Sequence, residues 1–155
     1  MPYPQDDINR IIELIKEIES RKEHPNAAAT YKDVPALQEI DRIVNAQLEL
    51  QPCDRDTLED SIGAMRYLGT TYEYMWRIAY AIQYYKRLLE LQAELFKRFD
   101  ENDENCSDDY YTALRLMKTA ILSEYQSRAL MKKEPRFMAV TSRQSMPLLK
   151  KIDNE

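Results

Sequence analysis

The residues of this chain that could do chemistry are few, and their spacing does not bring them together. His24 is the only histidine, so any Cys–His or Ser–His–Asp site would depend on it. It stands beside Pro25 among charged residues, the surroundings of an exposed helix end. A di-iron bundle needs two Glu-x-x-His motifs, and Arg21 occupies the position where the Glu before His24 would be. Asp100, Asn102 and Glu104 fall at the first, third and fifth places of a calcium loop. Asn105 then stands where the turn needs Gly, and Tyr111 where a bidentate Glu is needed. A solvated acidic loop is the better reading. Cys53 and Cys106 match no metal spacing and read as reduced thiols. No residue is assigned a catalytic, cofactor-binding or metal-binding role, and the expectation is a non-enzymatic chain without cofactor.

The chemistry that remains is recognition. Six tyrosines and Trp76 lie between Tyr67 and Tyr85. Tyr67, Tyr80 and Tyr84 fall off the apolar spacing of their segments, and Arg66, Arg77 and Arg87 project into the same half of the helix circumference, with Tyr67 at its edge. Tyr and Arg are enriched at interface hot spots because both give large contact area and donors at modest entropic cost. Tyr67, Tyr80, Tyr84, Arg66, Arg77 and Arg87 are therefore the candidate partner-binding residues, facing a protein partner or a second copy of the chain.

The elements that must position them are helices. Leu58, Ile62, Met65, Gly69, Tyr72, Trp76 and Ala79 form one apolar seam in steps of three and four. Met75, Ile78, Ile82, Tyr85, Leu89, Gln92, Phe96 and Phe99 form another. At about 100° per residue the two seams differ by roughly a quarter turn. The stretch is either a hairpin joined near Glu73–Arg77 or one long helix that changes partners. Further helices are predicted over Asp7–Lys22, with Ile8, Ile11, Ile12, Ile15 and Ile18 inward, and over Val34–Leu50, with Leu37, Ile40, Ile43, Val44 and Leu48 inward. Asp6 or Asp7, Asp33, Asp56 with Glu59, and Ser107 are the expected helix starts. The last helix runs from Ser107 to about Lys133, with Tyr110, Leu114, Met117, Ile121, Tyr125 and Leu130 on one face.

Composition agrees. Gly63 and Gly69 are the only glycines, which excludes Gly-rich phosphate loops and tight hairpin turns. Good helix formers dominate the chain. The expected fold is all-α, with about five helices in a bundle or a short stack of helical hairpins. Residues 1–133 are expected to form one domain, with 134–155 a C-terminal tail docked on it. No apolar run is long enough to span a membrane, and Met1–Asp7 lacks the features of a secretion signal. A cytoplasmic or nuclear location follows.

The net charge is −5, unevenly spread: Asp100–Asp109 holds six acids and no base, whereas Tyr110–Lys151 holds nine Lys/Arg against two acids. The basic third (Arg115, Lys118, Arg128, Lys132, Lys133, Arg136, Arg143, Lys150 and Lys151) opens an alternative function as a helical nucleic-acid-associated subunit. These residues form no single stripe and the chain is acidic overall, which favours a solvated face or an acidic partner. Leu48-Glu49-Leu50-Gln51 recurs as Leu89-Glu90-Leu91-Gln92, 41 residues later, both at expected helix ends.

Leu68-Gly69-Thr70-Thr71-Tyr72, followed by Ala81, Tyr85 and Leu89-Glu90-Leu91, resembles a tetratricopeptide repeat. The resemblance implies that Gly69 and Ala81 let two helices approach while Tyr72 and Tyr85 fill the gap. It also implies a peptide-binding scaffold. The would-be turn, Met75-Trp76-Arg77, has no Gly, Asn or Asp, and no second copy of the Leu-Gly-x-x-Tyr signature occurs. A generic helical bundle is the other reading. Both point to a protein–protein interaction module: an adaptor, an assembly subunit or an inhibitor.

Overall fold

The computed structural model of the chain describes residues 5–50 and 53–133, without the side chains of 130–133. The expected docking of the tail 134–155 lies outside the described residues. Five α-helices follow one another: α1 (Gln5–Ser20), α2 (Val34–Glu49), α3 (Arg55–Tyr74), α4 (Ile78–Phe99) and α5 (Cys106–Lys133), with a 3-10 turn at Tyr31–Asp33. No strand occurs among the described residues. The chain divides into two compact units, Met1–Ala113 and Leu114–Glu155, and the division falls inside α5.

In the first unit, α3 packs mainly on α4, α2 on α3, and α1 on α2. α1 and α2 run antiparallel. Asp7 accepts from Gln47 at one end (2.5 Å), and Arg21 pairs with Asp33 at the other (2.5 Å). Helix starts differ from expectation in detail. α1 already begins at Gln5. Asp33 occupies the cap position of α2, but its carboxylate turns back to the Thr30 N–H and to Arg21. Asp54, not Asp56, caps α3 by accepting from the Thr57 N–H at 2.8 Å. α5 starts one residue before Ser107.

The predicted core of α2 is buried as expected. On α1, Leu14 and Ile18 are buried, while Ile8, Ile11 and Ile15 are half-buried and Ile12 is exposed. The isoleucines line a cleft of about 250 Å³ against Asp60, Gly63 and Ala64 of α3, so the stripe flanks the packed face instead of filling it.

α3 and α4 form the hairpin, not one long helix. The first seam is buried through Tyr72 and then runs into the turn at Trp76. On α4 the buried face is Ile78, Ala81, Tyr85, Leu88, Leu91, Gln92 and Leu95, rotated by roughly a sixth of a turn from the expected seam. Phe96 is consequently exposed and Leu89 half-buried. Gln92 lies in the middle of α4, so the recurring Leu-Glu-Leu-Gln does not mark two helix ends.

The apposition of α3 and α4 is close at Gly69. A β-carbon there would stand 2.6 Å from Tyr85 Cε2, and all three nearest atoms belong to Tyr85. The Tyr85 ring, not Ala81, is thus what Gly69 admits. The Tyr85 hydroxyl shares a hydrogen bond of 2.9 Å with Thr70 Oγ1.

Candidate interaction surfaces

The α3–α4 turn is a Schellman motif. Trp76 N–H donates to the Glu73 carbonyl (3.0 Å) and Arg77 N–H to the Tyr72 carbonyl (2.9 Å). The motif needs a left-handed residue after the helix, usually Gly. Here Trp76 takes that role at φ 62° and is 46 % exposed. Tyr74 and Tyr80 are exposed beside it in sequence, as is Arg77. Tyr80 and Tyr84 both stack on the buried Tyr72 ring, at centroid distances of 5.2 and 5.6 Å.

The six residues nominated from the sequence take separate positions. Arg66 reaches from α3 to the start of α5, where its guanidinium meets both oxygens of Asp109 (Nη2 to Oδ2, 2.6 Å) and also Asp103 (2.7 Å). Asp109 is buried and accepts a further bond from Gln92 Nε2 at 2.8 Å. Arg66 therefore anchors a helix. Tyr67 is half-buried, and its hydroxyl has no partner in hydrogen-bond geometry although Thr71 stands beside it. Burial pushes the Tyr67 phenol up to about 12. Burial likewise raises Tyr84, which lies beside Asp41 of α2. Arg87 pairs with Glu90 on its own helix at 3.1 Å. Arg77 and Tyr80 remain together on the surface. Sequence reasoning missed Tyr74 and Trp76 as their companions. The signal was present, because the mismatch of seams put the turn at Glu73–Arg77 with a tryptophan in it.

A second surface lies between α4 and the start of α5. Leu89, Gln92, Ala93 and Phe96 face Asn102, Cys106, Ser107, Tyr110 and Tyr111 around a cleft of about 540 Å³. Phe96, Tyr110 and Tyr111 are all more than half exposed, at 51, 53 and 70 %. Further along α5, the expected face is only partly covered. Leu114, Ile121 and Tyr125 are 45, 66 and 70 % exposed and Met117 is half-buried, while the side chain of Leu130 lies outside the described residues.

The polar groups first considered for chemistry are dispersed. His24 is exposed in the turn after α1. Cys53 is buried, its thiol donates to the carbonyls of Leu48 (3.4 Å) and Leu50 (3.2 Å), and burial raises its pKa, so it stays protonated. Cys53 and Cys106 are not bridged. In the acidic loop, Glu101 pairs with Arg55 and Asp103 with Arg66. Among the described residues no group of three or more His, Cys, Asp or Glu side chains is placed to hold a metal ion, and no helix is long and apolar enough to cross a membrane. Comparison of the chain with protein-family models, curated proteins and solved structures gives no match.

Proposed function

We propose that this chain is a non-enzymatic protein-interaction module that meets its partner with the tip of the α3–α4 hairpin. One observation carries the reading: Trp76 holds the left-handed position of the turn and is half exposed there. A left-handed non-Gly residue costs roughly 1–2 kcal/mol. Gly would make the same turn without that cost. A sequence that breaks a local rule in this way does so most often at a functional site. The neighbours fit the same role, since Trp, Tyr and Arg dominate interface hot spots, and Tyr74, Arg77 and Tyr80 are exposed within four residues of the tryptophan. The stack of Tyr80 and Tyr84 on Tyr72 holds the aromatic side of the tip rigid, which lowers the entropy lost on binding.

The close α3–α4 hairpin, with Tyr85 over Gly69, also supports reading this segment as a tetratricopeptide-like scaffold. Cross-linking with mass spectrometry on native lysate tests the proposal. Inter-protein cross-links are expected from the segment around Tyr74–Tyr80, and Arg77→Ala with Tyr80→Ala should remove them while helicity is kept. Cross-links that are unchanged in the double variant would overturn it.

A further inference from the structure

The cleft between α4 and the start of α5 is a second site, separate from the hairpin tip. Along α4, Tyr80 and Phe96 are about 24 Å apart at 1.5 Å per residue. Three observations bear on what the cleft takes. Its walls are apolar and largely aromatic, with Leu89, Phe96, Tyr110 and Tyr111 the main contributors. Its volume of about 540 Å³ is that of an ordinary binding cleft.

Its floor is fixed by a buried polar contact. Gln92 is 3 % exposed and donates its amide N–H to the acceptor-only carboxylate of Asp109. Asp109 is held in turn by Arg66, so the α4–α5 junction that shapes the cleft is preorganised.

Its rim is acidic. Asp100, Glu104 and Asp108 are exposed and within two residues of the lining. Glu101, Asp103 and Asp109, by contrast, are held by arginines. Lys97, next to Phe96, is an exposed cation on the same side of α4 as the lining residue Ala93.

We infer that this cleft binds a peptide segment of a partner protein in which an aromatic residue is flanked by lysine or arginine. The aromatic ring fills the cleft and packs on Phe96, Tyr110 and Tyr111. The flanking cations meet Asp100, Glu104 and Asp108. The occupant is a segment of a protein and not a free small molecule, because Phe96, Tyr110 and Tyr111 are each more than half exposed, whereas a small-molecule site buries most of its ligand.

Selection of random peptides on the full chain tests this inference. Recovered sequences should be enriched in an aromatic residue next to Lys/Arg. A fluorescent peptide of that consensus should bind more weakly as salt rises. Tyr111→Ser, at a position 70 % exposed, and Phe96→Ser should each weaken it by about tenfold or more. Glu104→Lys should weaken it as well, with circular dichroism unchanged in all three. Trp76→Gly should leave peptide binding intact, so failure at the cleft and failure at the hairpin tip can be told apart. Absence of enrichment, enrichment in acidic sequences, or peptide binding that survives the cleft substitutions would overturn the inference. So would selective loss in Trp76→Gly.

Discussion

At Gly69 the α3 backbone leaves no room for a β-carbon. The obstructing atoms are the Tyr85 ring edge at 2.6 and 2.8 Å, and the ring is held at its far end by the 2.9 Å bond to Thr70. It cannot swing aside without losing that bond. Gly69→Ala is therefore expected to destabilise the chain by about 1–3 kcal/mol, measured as a shift in the urea midpoint. An unchanged midpoint would show that the hairpin opens more easily than its packing implies. The buried tyrosines make a separate prediction. Burial raises the phenols of Tyr67, Tyr72, Tyr84 and Tyr85 above their usual value. In the unfolded chain they ionise near pH ~10. Below that pH both states keep the proton and stability is full. Above it the unfolded state releases protons first, so stability falls as the pH rises toward the folded-state values, about 12 for Tyr67. Unfolding free energy followed by circular dichroism should be flat up to about pH 9–10 and fall beyond it. A flat profile through pH ~11 would contradict the burial of these rings.

The start of α5 shows how a single polar contact sets an element. Its apolar residues at Tyr110, Leu114, Ile121 and Tyr125 have helical spacing, and spacing alone predicts that they face inward. Asp109 is buried instead, because Arg66 from α3 and Gln92 from α4 both bind its carboxylate. That anchor leaves Tyr110, the next residue, exposed at the start of α5. The sequence carried the spacing but not the pairing of Arg66 with Asp109, 43 residues apart. The same limit explains α4, where the face of Leu88, Leu91 and Leu95 wins over the expected seam and leaves Phe96 to the cleft. The helices themselves and their order were legible, because periodicity is a local property, whereas the mismatch of seams placed a possible join near Glu73–Arg77 and left one long helix equally open. Of the nominated site, only Arg77 and Tyr80 could have been kept on local grounds. Arg66 and Tyr84 were taken up by contacts distant in sequence. Ile121→Gln with Tyr125→Gln is expected to change stability by no more than about 0.5 kcal/mol, as for exposed positions. A loss above about 1 kcal/mol in thermal unfolding would mean that this face is covered.

At the scale of the molecule, the helices of the first unit pack in chain order, and its described exposed aromatic side chains other than Tyr31 fall at two places, the hairpin tip and the cleft beside the α5 start. Both places arise where local preference was overridden: a tryptophan in a glycine position, and an apolar seam displaced from the core. Exposed Trp, Tyr and Phe side chains grouped in this way are the makings of a recognition surface. The most direct measurement of this account is Trp76→Gly in the full chain, read by melting temperature and by quantitative recovery of the cross-linked partner. The account predicts a melting temperature equal to or above that of the original chain, because Gly relieves the left-handed strain, together with partner recovery reduced by about tenfold or more. A fall in melting temperature with undiminished recovery would contradict it, and would make Trp76 part of the fold and not of the binding surface.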